Sequence, residues 1–157
     1  RGGGGLTGLG GAWGGEAARG QGTGSRRGRT TAHSAGAAVE GIAYQTMDMR
    51  NAMSRDAGVP LRELRVDGGA SRNNLLMQFQ ADILGTKVIR PQVVETTAMG
   101  AAYLAGLAVG YWSSIDEIRK QWQIDRVFEP SWEEEKVRAA QDGWKDAVKR
   151  TLSDYTK

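Results

Sequence analysis

The sequence predicts an α/β domain built on a parallel βαβ core, and three observations carry that prediction. Leu64-Arg65-Val66-Asp67 alternates apolar and polar residues as a short strand does, and Gly68-Gly69 breaks it. Leu75, Leu76, Phe79, Ile83 and Leu84 then recur at helical spacing up to Gly85. Residues 86–90 form a second strand, closed by Pro91. Strand, tight turn, helix and strand in that order imply parallel pairing with a right-handed crossover.

The flanking elements read as helices. From Val39 the positions Ile42, Ala43, Thr46, Met47, Met49 and Met53 follow a helical period, and Gly58 with Pro60 supplies a stop, so a helix is expected over residues 39–57. Met47, Met49 and Met53 read as core. Residues 96–108 form a helix of small residues that Thr96 or Thr97 can cap, and its small side chains suit it to burial against another backbone. Two more helices open with the spacing of capping boxes, Ser114 with Glu117 and Ser131 with Glu134. The last carries an apolar stripe at Val137, Ala140, Trp144, Val148 and Leu152. Glu133, Glu134 and Glu135 at its start and Lys145, Lys149 and Arg150 toward its end complement the helix dipole.

Composition narrows the chemistry. The 157 residues include no Cys and one His, His33, which removes thiolate catalysis, disulfide scaffolds and Cys/His zinc sites. The weakly polar run over residues 96–112 is shorter than the roughly 20 apolar residues of a membrane span, and no signal peptide opens the chain. The first residue is Arg rather than Met, which leads us to expect a piece of a longer chain. Fifteen of the 23 Gly lie in residues 1–41, where five Arg face only Glu16 and Glu40. That segment has too few large apolar side chains to fold alone and reads as a loop region needing a partner. It carries the whole net charge of +3, because residues 42–157 balance. A Gly/Arg-rich stretch such as Gly24-Ser25-Arg26-Arg27-Gly28-Arg29 invites a nucleic-acid reading, but no interleaved aromatics supply stacking.

One turn has the character of a ligand site: Val66-Asp67-Gly68-Gly69-Ala70-Ser71-Arg72-Asn73-Asn74, leading from a strand into a helix. Without Cβ atoms, Gly68 and Gly69 let a ligand approach the backbone, and the following helix offers free N–H groups to an anion. A plain βα turn with no ligand is the competing reading. Neither a P-loop nor a dinucleotide fingerprint is present. Asp67 reads as a turn-shaping residue bonded to local backbone, Asp82 as a helix-face residue, and Arg72 and Lys87 as solvated cations with a lesser prospect of touching phosphate. No catalytic residue or metal ligand is assigned.

Wider motifs decide between these readings. Ile42-Ala43-Tyr44-Gln45-Thr46, Arg65-Val66-Asp67-Gly68-Gly69-Ala70 and the run from Asn73 to Gly85 resemble the C-terminal domain of glycerol kinases. So do Val88-Ile89-Arg90-Pro91, the run from Glu95 to Trp112, Phe128-Glu129-Pro130 and Gly143-Trp144-Lys145, all in the family's order and spacing. The match covers residues 39–157. Upstream, Thr7-Gly8-Leu9-Gly10 and Ala18-Arg19-Gly20 fit a family stretch, while the residues between and after them depart toward small side chains at unchanged spacing.

The resemblance implies a ribonuclease-H-like fold of the actin-like ATPase superfamily, present here in part as a βαβ core with flanking helices. Residues 1–41 would be a Gly/Arg-rich loop segment and residues 42–157 a C-terminal nucleotide-binding domain. It implies that Gly68, Gly69 and Ala70 lie against the adenosine of ATP and that Asn73 lies near adenine. The implied reaction is transfer of the γ-phosphoryl group of Mg-ATP to glycerol, with the base and glycerol pocket supplied by an N-terminal domain. This chain alone would then be inactive. ATP, Mg2+ and glycerol are the implied ligands of a cytoplasmic, homo-oligomeric parent with no nucleic-acid or membrane partner. A related sugar kinase and a non-catalytic nucleic-acid binder are the alternatives.

Overall fold

The computed structural model describes Gly28 and residues 30–152. Helix α1 spans Thr31–Ala57, strand β1 Glu63–Arg65, helix α2 Asn74–Leu84 and strand β2 Lys87–Pro91. They are followed by helix α3 at Thr96–Ala108, helix α4 at Ile115–Gln121, strand β3 at Ile124–Phe128 and helix α5 at Glu134–Thr151. A 3-10 turn at Gly69–Arg72 links β1 to α2. The sheet order is β1-β2-β3. β1 and β2 are parallel, with Leu64 opposite Val88, as the βαβ reading requires. β3 is an addition to that reading: it runs antiparallel to β2, with Val88 opposite Phe128.

One face of the sheet carries the core. Leu64, Val88 and Phe128 meet α2 through Leu76, Phe79 and Ile83, and α1 and α5 close over α2 with Ala43, Tyr44 and Met47 on one side and Ala140, Trp144 and Val148 on the other. Four aromatic rings run through this layer. Trp144 stacks on Tyr44 at 5.1 Å and 7°, Tyr44 meets Phe79 edge-on at 5.4 Å, and Phe79 meets Trp132 edge-on at 5.4 Å. The Trp144 indole N–H donates to Asp48 Oδ2 at 2.6 Å, so the ring's polar atom is satisfied where the ring is buried.

Several boundaries differ from expectation, each for a local reason. α1 starts at Thr31 rather than near residue 39. Ala32, Ala35, Ala37 and Ala38 are strong helix formers, and His33 Nδ1 accepts the Thr30 backbone N–H at 3.2 Å, outweighing Gly36 and Gly41. The remaining residues of the Gly/Arg-rich segment lie outside the described residues, Gly28 and Thr30 excepted. On α1 only Met47 of the three methionines is core, while Met49 and Met53 are 57% and 64% exposed because the buried stripe runs through Gly41, Ala43, Tyr44 and Met47. Leu75 likewise points outward at the start of α2.

The expected capping boxes are only partly formed. Ser114 Oγ accepts the Glu117 N–H at 3.3 Å, but Glu117 Oε2 returns to Ser113, accepting its N–H at 2.9 Å and its hydroxyl at 3.0 Å. Those bonds, the backbone one foremost, lower the Glu117 pKa. Ser131 caps nothing. Its N–H and hydroxyl both donate to Asp82 Oδ1, at 2.6 and 3.0 Å, and α5 starts beyond it with Glu133 in the cap position.

α3 departs furthest from expectation. The sequence predicts burial, yet among the described residues only Gly106 of this helix is buried. No described element covers its Ala- and Leu-rich sides, so the small residues have no backbone to meet. The helix is fixed at its ends instead. At its start, Glu95 occupies the cap position without a side-chain bond, and Thr96 Oγ1 donates to Asp67 Oδ2. At its end, Gly110 takes φ +77°, and the Tyr111 and Gly110 N–H groups donate to Gly106 and Leu107 carbonyls in a Schellman closure. This turn folds Trp112 back onto Gly106, with Tyr103 edge-on to Trp112 at 5.2 Å.

A Cβ on Gly106 would stand 2.2 Å from Trp112 Cζ3. Gly106→Ala is therefore expected to displace the indole and cost about 1–3 kcal/mol, more than the roughly 1 kcal/mol of helix propensity it gains. Denaturant melts together with Trp fluorescence check both parts of this expectation.

Candidate functional site

The turn that the sequence singles out lies at the end of the two parallel strands, between β1 and α2. Its backbone is held at Gly68 by three hydrogen bonds, one to a neighbouring segment and two within the turn. The Gly68 N–H donates to the Val94 carbonyl at 2.7 Å, tying the turn to the segment that leads into α3. The Gly68 carbonyl accepts both the Ser71 N–H at 3.1 Å and the Ser71 hydroxyl at 2.7 Å, which closes the 3-10 turn. Ser71 is 1% exposed, so this polar side chain is spent internally.

Gly68 sits at φ +75°, ψ 171°, a conformation that L side chains rarely adopt, so the backbone itself demands glycine there. Gly69 has no such requirement. A Cβ on either residue would meet nothing within 4 Å, so the backbone at both positions faces open space. Ala70 is exposed beside them. The three residues thus present an accessible stretch of main chain with minimal side-chain cover, which fits the close approach of a flat or sugar-like ligand.

Asn73 is the N-cap of α2. Its Oδ1 accepts the N–H groups of Leu75 and Leu76 at 3.0 and 3.1 Å, so only its Nδ2 remains available to an outside group. Asn73→Ala is expected to lower stability by about 1 kcal/mol through loss of this cap, as read from urea denaturation.

The charged residues weighed from the sequence take different places. Asp67 does not bond local backbone; its partner is Thr96, 29 residues on, because the turn and the start of α3 converge. Asp82 is 3% exposed and is filled by Ser131 and by the Gln78 amide at 3.2 Å, which makes it a tie between α2 and the β3–α5 connection. Lys87 pairs with Glu63 at 3.3 Å. Glu63 also accepts from Arg65, and these two hydrogen bonds, that of Arg65 first, lower its pKa. Arg72 is exposed beside the turn.

Two residues that support the turn were not singled out from the sequence: Ser71, described above, and Arg90 on β2. Arg90 Nη1 donates to the Ser71 carbonyl at 2.8 Å and to Asn74 Oδ1 at 2.9 Å, and its Nε pairs with Asp125 at 2.6 Å. The available signal is an Arg in the otherwise apolar run Val88-Ile89-Arg90-Pro91.

Among the described residues no group of three or more His, Asp or Glu is placed to hold a metal ion, and no helix is long and apolar enough to cross a membrane.

This βαβ unit, extended by an antiparallel strand and flanked by helices, is a partial α/β domain of the ribonuclease-H-like fold of the actin-like ATPase class. The chain belongs to the FGGY family of carbohydrate kinases, matching that family's C-terminal domain over residues 12–109. The match includes the glycine turn and most of the Gly/Arg-rich opening, so a separate nucleic-acid-binding role for the opening is not favoured.

Glycerol kinase of Burkholderia vietnamiensis is 59% identical over 132 residues, covering 84% of this chain and 26% of that protein. Glycerol kinase 2 of Sulfolobus acidocaldarius is 55% identical over 147 residues, covering 94% of this chain and 30% of that protein. The crystal structure of Plasmodium falciparum glycerol kinase with ADP superposes with a TM-score of 0.80 at 33% identity, over 95% of this chain and 30% of that one. The chain thus spans between a quarter and a third of the length of these relatives.

Proposed function

We propose that this chain is the adenosine-facing part of an ATP-dependent glycerol kinase. The observation that carries the reading is the open main chain of Gly68 and Gly69 at the end of the parallel strands, in a segment 55–59% identical to glycerol kinases. In this reading the nucleoside rests on Gly68, Gly69 and Ala70, and Asn73 offers Nδ2 as a donor while its oxygen holds the helix cap. Mg-ATP supplies the γ-phosphoryl group, and glycerol supplies the terminal hydroxyl that accepts it, giving glycerol 3-phosphate and ADP. What these residues contribute is position: such transfers are accelerated mostly by holding donor and acceptor in line and by stabilising charge.

The described carboxylates are engaged in the fold or on the surface, and we assign none as base. The base, the glycerol pocket and the groups around the phosphates belong, in this proposal, to an N-terminal domain, and the whole is a cytoplasmic homo-oligomer. A phosphorylation screen of the full-length protein with ATP against glycerol, xylulose and gluconate tests the substrate. Turnover of glycerol is expected. Turnover of xylulose or gluconate with glycerol untouched would leave the family in place and overturn the assignment within it.

A further inference from the structure

We propose that Arg90 is a positioning residue for nucleotide binding: it braces the far side of the glycine turn from β2, and Asp125 on β3 sets its orientation. The inference rests on the adenosine site proposed above. Arg90 does not touch the open faces of Gly68 and Gly69. Its guanidinium reaches the residues that bracket Asn73, the Ser71 carbonyl at 2.8 Å on one side and Asn74 Oδ1 at 2.9 Å on the other.

The Ser71 carbonyl belongs to the 3-10 turn that carries Gly69 and Ala70, and Asn74 opens α2. One rigid planar group thereby fixes the angle between the turn and the helix. The same guanidinium gives its Nε to Asp125 Oδ2 at 2.6 Å and lies over the Phe128 ring at 5.3 Å. Arg90 is only 11% exposed at its side chain, whereas Asp125 is 44% exposed, so the brace is largely sheltered and its counter-charge sits at the rim.

This explains why a strand facing the core carries an arginine at this position. A lysine could reach one of the three acceptors as a point charge but cannot hold Asp125, Ser71 and Asn74 at once. It also gives β3 a purpose beyond closing the sheet, because β3 brings Asp125 to the arginine that holds the turn.

The test uses the full-length protein, with ADP affinity from titration calorimetry and KM for glycerol measured beside it. Arg90→Lys is expected to weaken ADP binding about tenfold, as a displaced binding group does, while leaving KM for glycerol within about twofold. Asp125→Asn keeps an acceptor but loses the charge, and is expected to weaken ADP binding about threefold. Gly69→Val is measured in parallel as the check on the site itself.

A folded Arg90→Lys protein with unchanged ADP affinity, beside a Gly69→Val protein that has lost it, would overturn the brace and leave the site standing. Equal losses for ADP and glycerol would also overturn it, since that pattern belongs to a general loss of structure. Unchanged affinity in all three variants would mean that the nucleotide lies elsewhere, and both proposals would fall. If Arg90→Lys does not fold, Asp125→Asn decides by the same criterion.

Discussion

Gly69→Val is expected to weaken ATP binding by about tenfold or more while leaving the fold intact. The two halves of that expectation have separate grounds. Gly69 has no left-handed backbone requirement, and a Cβ there meets no protein atom within 4 Å, so the chain tolerates the side chain. A ligand resting on the same backbone would not. Inserting extra carbons into a fitted contact costs about 1–3 kcal/mol, and 1.4 kcal/mol is a factor of ten in affinity. Gly68→Ala gives the contrast: at φ +75° the cost falls on folding, about 1–3 kcal/mol, and stability drops with or without ligand. Nucleotide titrations beside thermal melts separate the two variants. Gly69→Val with unchanged ATP affinity would show that the turn is purely structural.

Trp144→Ala is expected to be the most destabilising single change considered, at about 3–5 kcal/mol. Trp144 is 3% exposed, stacks on Tyr44 and gives its N–H to Asp48, so truncation opens a cavity between α1 and α5 and takes a hydrogen bond from a carboxylate. For a domain stable by about 5–15 kcal/mol, this is a large share. Trp144→Phe keeps most of the stack and should lose less, about 1–3 kcal/mol, mainly for the missing donor. Urea denaturation measures both, and a Trp144→Ala loss under about 1 kcal/mol would remove the aromatic layer from its place as the centre of the core.

The parts of the fold legible in the sequence were those fixed by local pattern. The alternation at residues 64–67, the Gly68-Gly69 break and the stripe through Phe79 and Ile83 specify β1, the turn and α2 without reference to anything distant. The helix stops at Gly58 and Gly85, both in the left-handed region, are of the same kind.

What was not legible depended on contacts far along the chain. Ser131 and Glu134 have capping-box spacing, but the buried Asp82 carboxylate, 49 residues earlier, claims Ser131. Asp67 sits in a turn, yet its partner is Thr96. β3 has Asp125 and Arg126 inside it and is too charged to stand out between two helices; it becomes a strand because β2 offers an edge and Phe128 a place in the core.

The glycine turn was found as a candidate because glycine itself is the signal. The roles of Arg90 and Ser71 are not legible in the sequence because they exist only once β2 and the turn are side by side. Composition alone predicts burial for α3, but composition records what a helix could bury rather than what lies next to it.

We propose that the nucleoside of ATP rests on the open main chain of Gly68, Gly69 and Ala70. A crystal structure of the full-length protein with ADP tests it most directly. Adenosine is expected in van der Waals contact with those three residues, with the Asn73 Nδ2 facing the base and Oδ1 still capping α2. Adenosine bound in order elsewhere on the protein, with the turn unchanged and open, would contradict it.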